Sequence, residues 1–185
     1  MGMVRARATP LNFWMDGGRI NDLYGVRYAL SLDQRDEPDR ALVSFYGKLA
    51  QGYTRNTFIG CEGSGMKPVN RFGRQMYLPP NSASNANFLE QLRFLLVQDY
   101  DMNDDGRPDT LRLLFATPRA WLADGKEISL KRAPTDFGML SLDVHSHLSE
   151  GQVIADIDLP DRPRQKTLLR LRLPEDYKVL SAADG

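Results

Sequence analysis

Three groups of residues in this 185-residue chain combine types and spacings that could do chemistry. The first is Asp101-Met-Asn103-Asp104-Asp105-Gly106-Arg-Pro-Asp109. Oxygen-bearing side chains at its first, third, fifth and ninth positions, with glycine at the sixth for a sharp turn, are what a hard cation such as calcium takes as ligands. The metal reading therefore names Asp101, Asn103, Asp105 and Asp109. The same residue types also build polar turns, so a turn between a helix and a strand is the competing reading. The second group is Asp143, His145 and His147, alternating along one segment, with Asp156 and Asp158 in the next. A tight turn at Glu150-Gly151 would set His145 opposite Asp156 and Asp143 opposite Asp158. Such a face could ligate a metal, but it reads more simply as a solvated sheet face carrying His–Asp cross-strand pairs. The third is Glu62, a carboxylate set among glycines and aromatics in Thr54-Arg-Asn-Thr-Phe-Ile-Gly-Cys-Glu-Gly-Ser-Gly. General acid–base work on a glycoside uses carboxylates presented in such settings, with aromatic faces nearby for sugar rings; solvated loop filler is the alternative.

The neighbours of Glu62 add little. Cys61 has no base beside it in sequence and reads as a small buried apolar residue. Ser64 lacks the pattern of a nucleophile elbow. The glycines do not spell a phosphate-binding loop, because Lys67 lies at the wrong spacing.

Positioning these groups falls to two stretches of different character. Before residue 108 apolar residues recur at helical spacing, and after it they alternate at strand spacing, so the pattern divides the chain into 1–108 and 109–185. A helix is expected over Pro38 to Gln51, with Asp36 as N-cap, proline in the first turn and Gly52 as C-cap. A weaker helix is expected over Asp22 to Leu32, and a third from about Ser82 to Tyr100, capped by Asn81 or Ser82. Phe88, Leu89, Leu92, Phe94, Leu95, Leu96 and Val97 occupy nearly all sides of that third helix, which predicts burial all round. Between Gly52 and Pro80 the glycines and prolines predict a long ordered loop that lines or covers something. Strands are expected over Thr110–Thr117, Glu127–Lys131, Met139–Leu148, Gln152–Leu159, Thr167–Leu173 and Lys178–Ser181. Their spacing suggests a sandwich. The expected class is α+β: about three helices, then an antiparallel β-sandwich-like domain.

Composition narrows the functions without choosing one. Lys and Arg number 24 against 24 Asp and Glu, so no global charge draws the chain to nucleic acid or an anionic membrane. No apolar run reaches the length of a membrane span. Residues 1–7 carry two arginines with no apolar stretch behind them and do not read as a signal peptide. One cysteine excludes an internal disulfide framework and a multi-cysteine zinc site, and two histidines exclude a His-rich metal centre.

Three segments carry a resemblance to a known family: Phe45 to Gly63, Tyr77 to Gln98, and Leu111 to Leu122. An amphipathic helix, a long loop bearing a Glu, a buried last helix and a β-domain follow in that order. The chain thus resembles the end of a bacterial six-hairpin, (α/α)6-barrel glycoside hydrolase followed by its C-terminal β-sandwich. In glucoamylase-like members the catalytic base is a Glu in the loop before the last barrel helix. The resemblance therefore implies that Glu62 activates a water at the anomeric carbon, with Trp14, Arg55 and Tyr77 as sugar contacts. The partner acid and the remaining hairpins are not in this sequence, so the implied partners are a carbohydrate and the missing barrel portion, or self-association. No turnover is expected from this chain alone. The loop at Asp101 is similar to the short calcium loops of β-propeller repeats; Arg112 stands where an EF-hand has its last Glu. The alternative function is a non-catalytic carbohydrate- or protein-binding β-sandwich module, for which Trp121 and Tyr177 are the aromatic candidates.

Overall fold

A computed structural model describes residues 13–15, 19–21, 26–68, 74–160 and 166–183. Helices precede the main strands, and the class is α+β as the sequence predicts. The chain forms two units, Met1–Phe94 and Leu95–Gly185, and the boundary between them falls inside the third helix.

The first unit holds a helical hairpin and a small sheet. Helix α1 spans Val26–Gln34 and α2 spans Pro38–Gln51; residues 22–25, where an earlier start to α1 was expected, lie outside the described residues. The bounds of α2 match the sequence reading because Pro38 fixes φ where no N–H is required and Gly52 closes the last turn, its N–H donating to the Lys48 carbonyl at 2.8 Å. The N-cap is Glu37 and not Asp36, which turns the chain with φ of 56°. Glu37 spends its carboxylate on Arg35 and Arg40, and this pairing holds it below the ordinary carboxyl range, with the Arg40 hydrogen bond the largest cause.

The stretch between Gly52 and Pro80 is not wholly a loop. It contains β3 (Gly63–Pro68) and β4 (Arg74–Tyr77), which join β1 (Phe13–Met15) and β2 (Arg19–Asn21) in a four-stranded antiparallel sheet of order β1-β2-β3-β4. Gly-Ser-Gly-Met-Lys-Pro has no β-branched residue, so its strand state comes from pairing with neighbours on both sides. Helix α3 spans Ser82–Leu96. Phe88 stacks on Phe45 of α2 at 4.8 Å between centroids and meets Tyr53 at 5.2 Å, which ties α3 to α2 through aromatic faces.

Burial of α3 on all sides does not hold: Leu89 is 64% exposed. The helix also ends at Leu96, and Val97–Tyr100 forms strand β5. Two elements of different period share that apolar run, which is why it reads as one helix without a polar face.

The second unit consists of two three-stranded sheets. One has order β10-β6-β5, with β6 at Thr110–Leu113 and β10 at Lys166–Leu169. The other has order β7-β8-β9, with β7 at Glu127–Thr135, β8 at Gly138–His147 and β9 at Gln152–Asp158. Two apolar clusters lie between the sheets: Val97, Leu111 and Leu113 pack with Phe137 and Leu140, and Leu114 packs with Ile128, Leu142 and Val144, with Leu96, Leu130 and Ile157 touching both. The arrangement is sandwich-like, but not wholly antiparallel, because β10 runs parallel to β6. Segment 178–181, expected as a strand, has no regular structure. Two arginines fasten the C-terminal run: Arg119 donates to the Leu173 carbonyl at 2.7 Å and Arg172 to the Thr117 carbonyl at 2.9 Å.

Candidate functional site

Glu62 stands where the helical hairpin hands over to the sheet. The segment before it leaves α2 at Gly52, closes on itself through a Tyr53–Gly60 bridge, and returns with the Cys61 N–H donating to the Gly52 carbonyl at 3.1 Å. Inside this loop the Thr54 hydroxyl accepts from the Ile59 N–H at 2.9 Å. Cys61 is fully buried, with its Sγ within 3.3 Å of the Gly52 carbonyl and 3.2 Å of the Gly63 carbonyl. It serves as packing, as its lack of a neighbouring base suggests.

Glu62 itself is half-buried. Its N–H donates to the Tyr77 carbonyl at 3.0 Å, and Gly63 pairs directly with Tyr77 across β3 and β4. Tyr77 is 51% exposed. A carboxylate and an open aromatic ring are therefore carried on adjoining backbone at the start of the path into α3. That path is pinned from the other side. Asn81 donates its N–H to the Gly60 carbonyl at 2.9 Å, while its side-chain oxygen accepts from the Ser84 N–H at 2.8 Å and caps α3. Asn81 thus couples the Glu62 segment to the helix N-terminus. The cap is the one the sequence offers at Asn81 or Ser82; the bond from Asn81 to Gly60 is what the sequence does not show.

The other expected sugar contacts lie on other segments of the first unit. Arg55 is exposed within the loop closed by the Tyr53–Gly60 bridge. Trp14 pairs with Ile20, Ile20 with Ser64, and Ser64 with Met76. Its backbone is therefore three strands from β4, about 14 Å at the usual strand spacing; its side chain lies outside the described residues.

In the second unit, the loop from Asp101 to Asp109 is organised by its own backbone. Asp101 accepts from the N–H groups of Asp105 (3.1 Å) and Gly106 (2.6 Å). Asp109 accepts from Met102 (3.3 Å) and Asn103 (3.2 Å), and Asn103 from Asp105 (3.1 Å). The Thr110 hydroxyl bond, with those from Met102 and Asn103, holds Asp109 below the ordinary carboxyl range. Among the described residues, no group of three or more His, Cys, Asp and Glu side chains lies close enough to hold a metal ion. Arg112, at the loop's twelfth position, stacks its guanidinium over Tyr100 (4.7 Å) and Phe115 (5.0 Å).

The histidine face has a register different from the expected one. Asp143 pairs with Asp156, Ser141 with Asp158, and His145 with Ile154. The connection is a short 3-10 turn, Leu148–Glu150, closed by left-handed Gly151, so it is longer than a two-residue turn and shifts the pairing by two. His145 finds its acid on the other neighbour: its Nδ1 lies 3.3 Å from Glu127 Oε1 on β7. The face is exposed, as a solvated cross-strand pair would be.

Trp121, the aromatic candidate of the binding-module reading, packs partly buried against the core of the second unit, while Tyr177 is 43% exposed. No family model, curated protein or solved structure matches the chain.

Proposed function

We propose that this chain is the C-terminal portion of a glycoside hydrolase, in which Glu62 is the general base and the second unit is a bracing β-domain. The observation that carries the reading is that partly buried Glu62 and exposed Tyr77 sit on adjoining backbone, joined by the hydrogen bond from the Glu62 N–H to the Tyr77 carbonyl. A base of this kind removes a proton from a water as that water attacks the anomeric carbon, and a stacked tyrosine holds the sugar face. The acid that protonates the leaving oxygen is contributed from outside this sequence. Trp121, turned into the core, offers less to the module reading than Tyr77 does to this one.

Purified chain titrated with a panel of neutral oligosaccharides tests the proposal. Saturable binding is expected, weakened by both Tyr77→Ala and Glu62→Gln, with no hydrolysis of any member. Binding indifferent to both substitutions would sink it, as would turnover by the chain alone. Calcium on the loop formed by Asp101, Asn103, Asp105 and Asp109 belongs to the same proposal, and it would have to draw together side chains that here accept from the loop's own backbone. Calorimetric titration should show saturable calcium uptake that is lost in Asp105→Ala.

A further inference from the structure

Asp33 lies in the last turn of α1 and is only 3% exposed. Both of its carboxylate oxygens are buried and, among the described residues, meet no hydrogen-bond partner. Its backbone, by contrast, holds the turn between the helices: the Asp33 carbonyl accepts from the Asp36 N–H at 3.0 Å, and the neighbouring Leu32 carbonyl from the Glu37 N–H at 2.8 Å. A negative charge here would be desolvated, unpaired and close to the negative end of the helix dipole.

We infer that Asp33 is a pH-responsive latch on the α1–α2 hairpin, which closes over the neutral carboxyl and loosens when that carboxyl ionises. Among the described residues the main element packed on α1 is α2, whose charged residues are Asp39, Arg40 and Lys48. Arg40 is engaged with partly buried Glu37 and with Tyr28 of α1, and Arg35 of the turn with Glu37. Lys48 sits about 15 Å along α2 from its first residue, at the helical rise per residue, so it belongs to the far end of the hairpin. Burial is the cause that pushes the Asp33 carboxyl up from 3.8 to about 7. The folded hairpin therefore retains a proton that the open one releases. Its closed state is fully favoured below the ordinary aspartate range and loses ground as pH rises through about 7.

The test is amide hydrogen exchange of residues 26–51 in the whole chain, corrected for intrinsic exchange, between pH 5 and 8. Protection in the wild type should fall roughly ten- to hundredfold over that range, since each unit of pKa difference is tenfold in the opening constant. Asp33→Asn should flatten the dependence. Parallel profiles for the two proteins would overturn the inference. Carbon-13 NMR of the Asp33 carboxyl in the wild type decides the matter even if the variant does not fold: a midpoint near 7 supports the latch, and one near 4 overturns it.

Discussion

Position 60 is a glycine because of what faces it. A Cβ there would collide with Asn85 Oδ1 and lie 3.2 Å from the Tyr53 ring. The Asn85 amide can rotate away, whereas Tyr53 is held against Phe88 and has less freedom. Gly60→Ala should therefore destabilise the first unit by about 1–2 kcal/mol, within the range for overpacking. Denaturant unfolding of Gly60→Ala with and without Asn85→Ala checks this. The second change should recover part of the loss, a coupling that a generic glycine effect would not show. The sequence made Glu62 visible as a carboxylate among glycines. It did not reveal the bond from Asn81 to Gly60 or the Gly60–Asn85 contact, because both depend on α3 returning to the loop about 20 residues later in the chain. Asp33 was hidden for a related reason: an aspartate near a helix end looks solvated until the packing that covers it is known.

Elements were readable where local chemistry decides and misread where pairing decides. Helix α2 announces both its ends, with proline inside the start and glycine past the finish. Strand β8 announces its faces, since Leu140, Leu142 and Val144 are buried while the alternate residues are not. Its register with β9 was misplaced by two because alternation fixes parity and leaves loop length free. Gly151 is the residue that sets that length, with φ of 75° and open space around its Cβ position. Gly151→Ala should cost about 1 kcal/mol through left-handed backbone strain alone. The strand faces themselves should stay intact, which hydrogen exchange across β8 and β9 would show. Leu142→Ala removes a fully buried side chain between the sheets and should cost more, about 2–5 kcal/mol. Denaturant midpoints of the two variants should fall in that order. Strands β3 and β4 were missed altogether, because a Gly-Ser-Gly segment becomes a strand only when partners are available on both edges.

At the scale of the whole molecule, the two units should answer pH in opposite directions. In the second unit Asp109 and Asp124 both lie below the ordinary carboxyl value of 3.8, Asp109 mainly through Thr110 and Asp124 through the backbone and side chain of Ser149. Groups lowered in the folded state lend stability above their unfolded value and lose it as pH falls through the folded one. The second unit should therefore weaken only below about pH 4. In the first unit the raised carboxyl of Asp33 gives the reverse, full stability in acid and decline as pH climbs toward about 7. The chain's two tryptophans fall one to each unit, Trp14 in the first and Trp121 in the second. Fluorescence unfolding of Trp14→Phe thus follows the second unit, and that of Trp121→Phe follows the first. Scanned from pH 3 to 8, the Trp121 signal should lose midpoint temperature at the acid end and the Trp14 signal at the neutral end. Coincident profiles would mean that one cooperative transition spans both units and that neither carboxyl group acts locally.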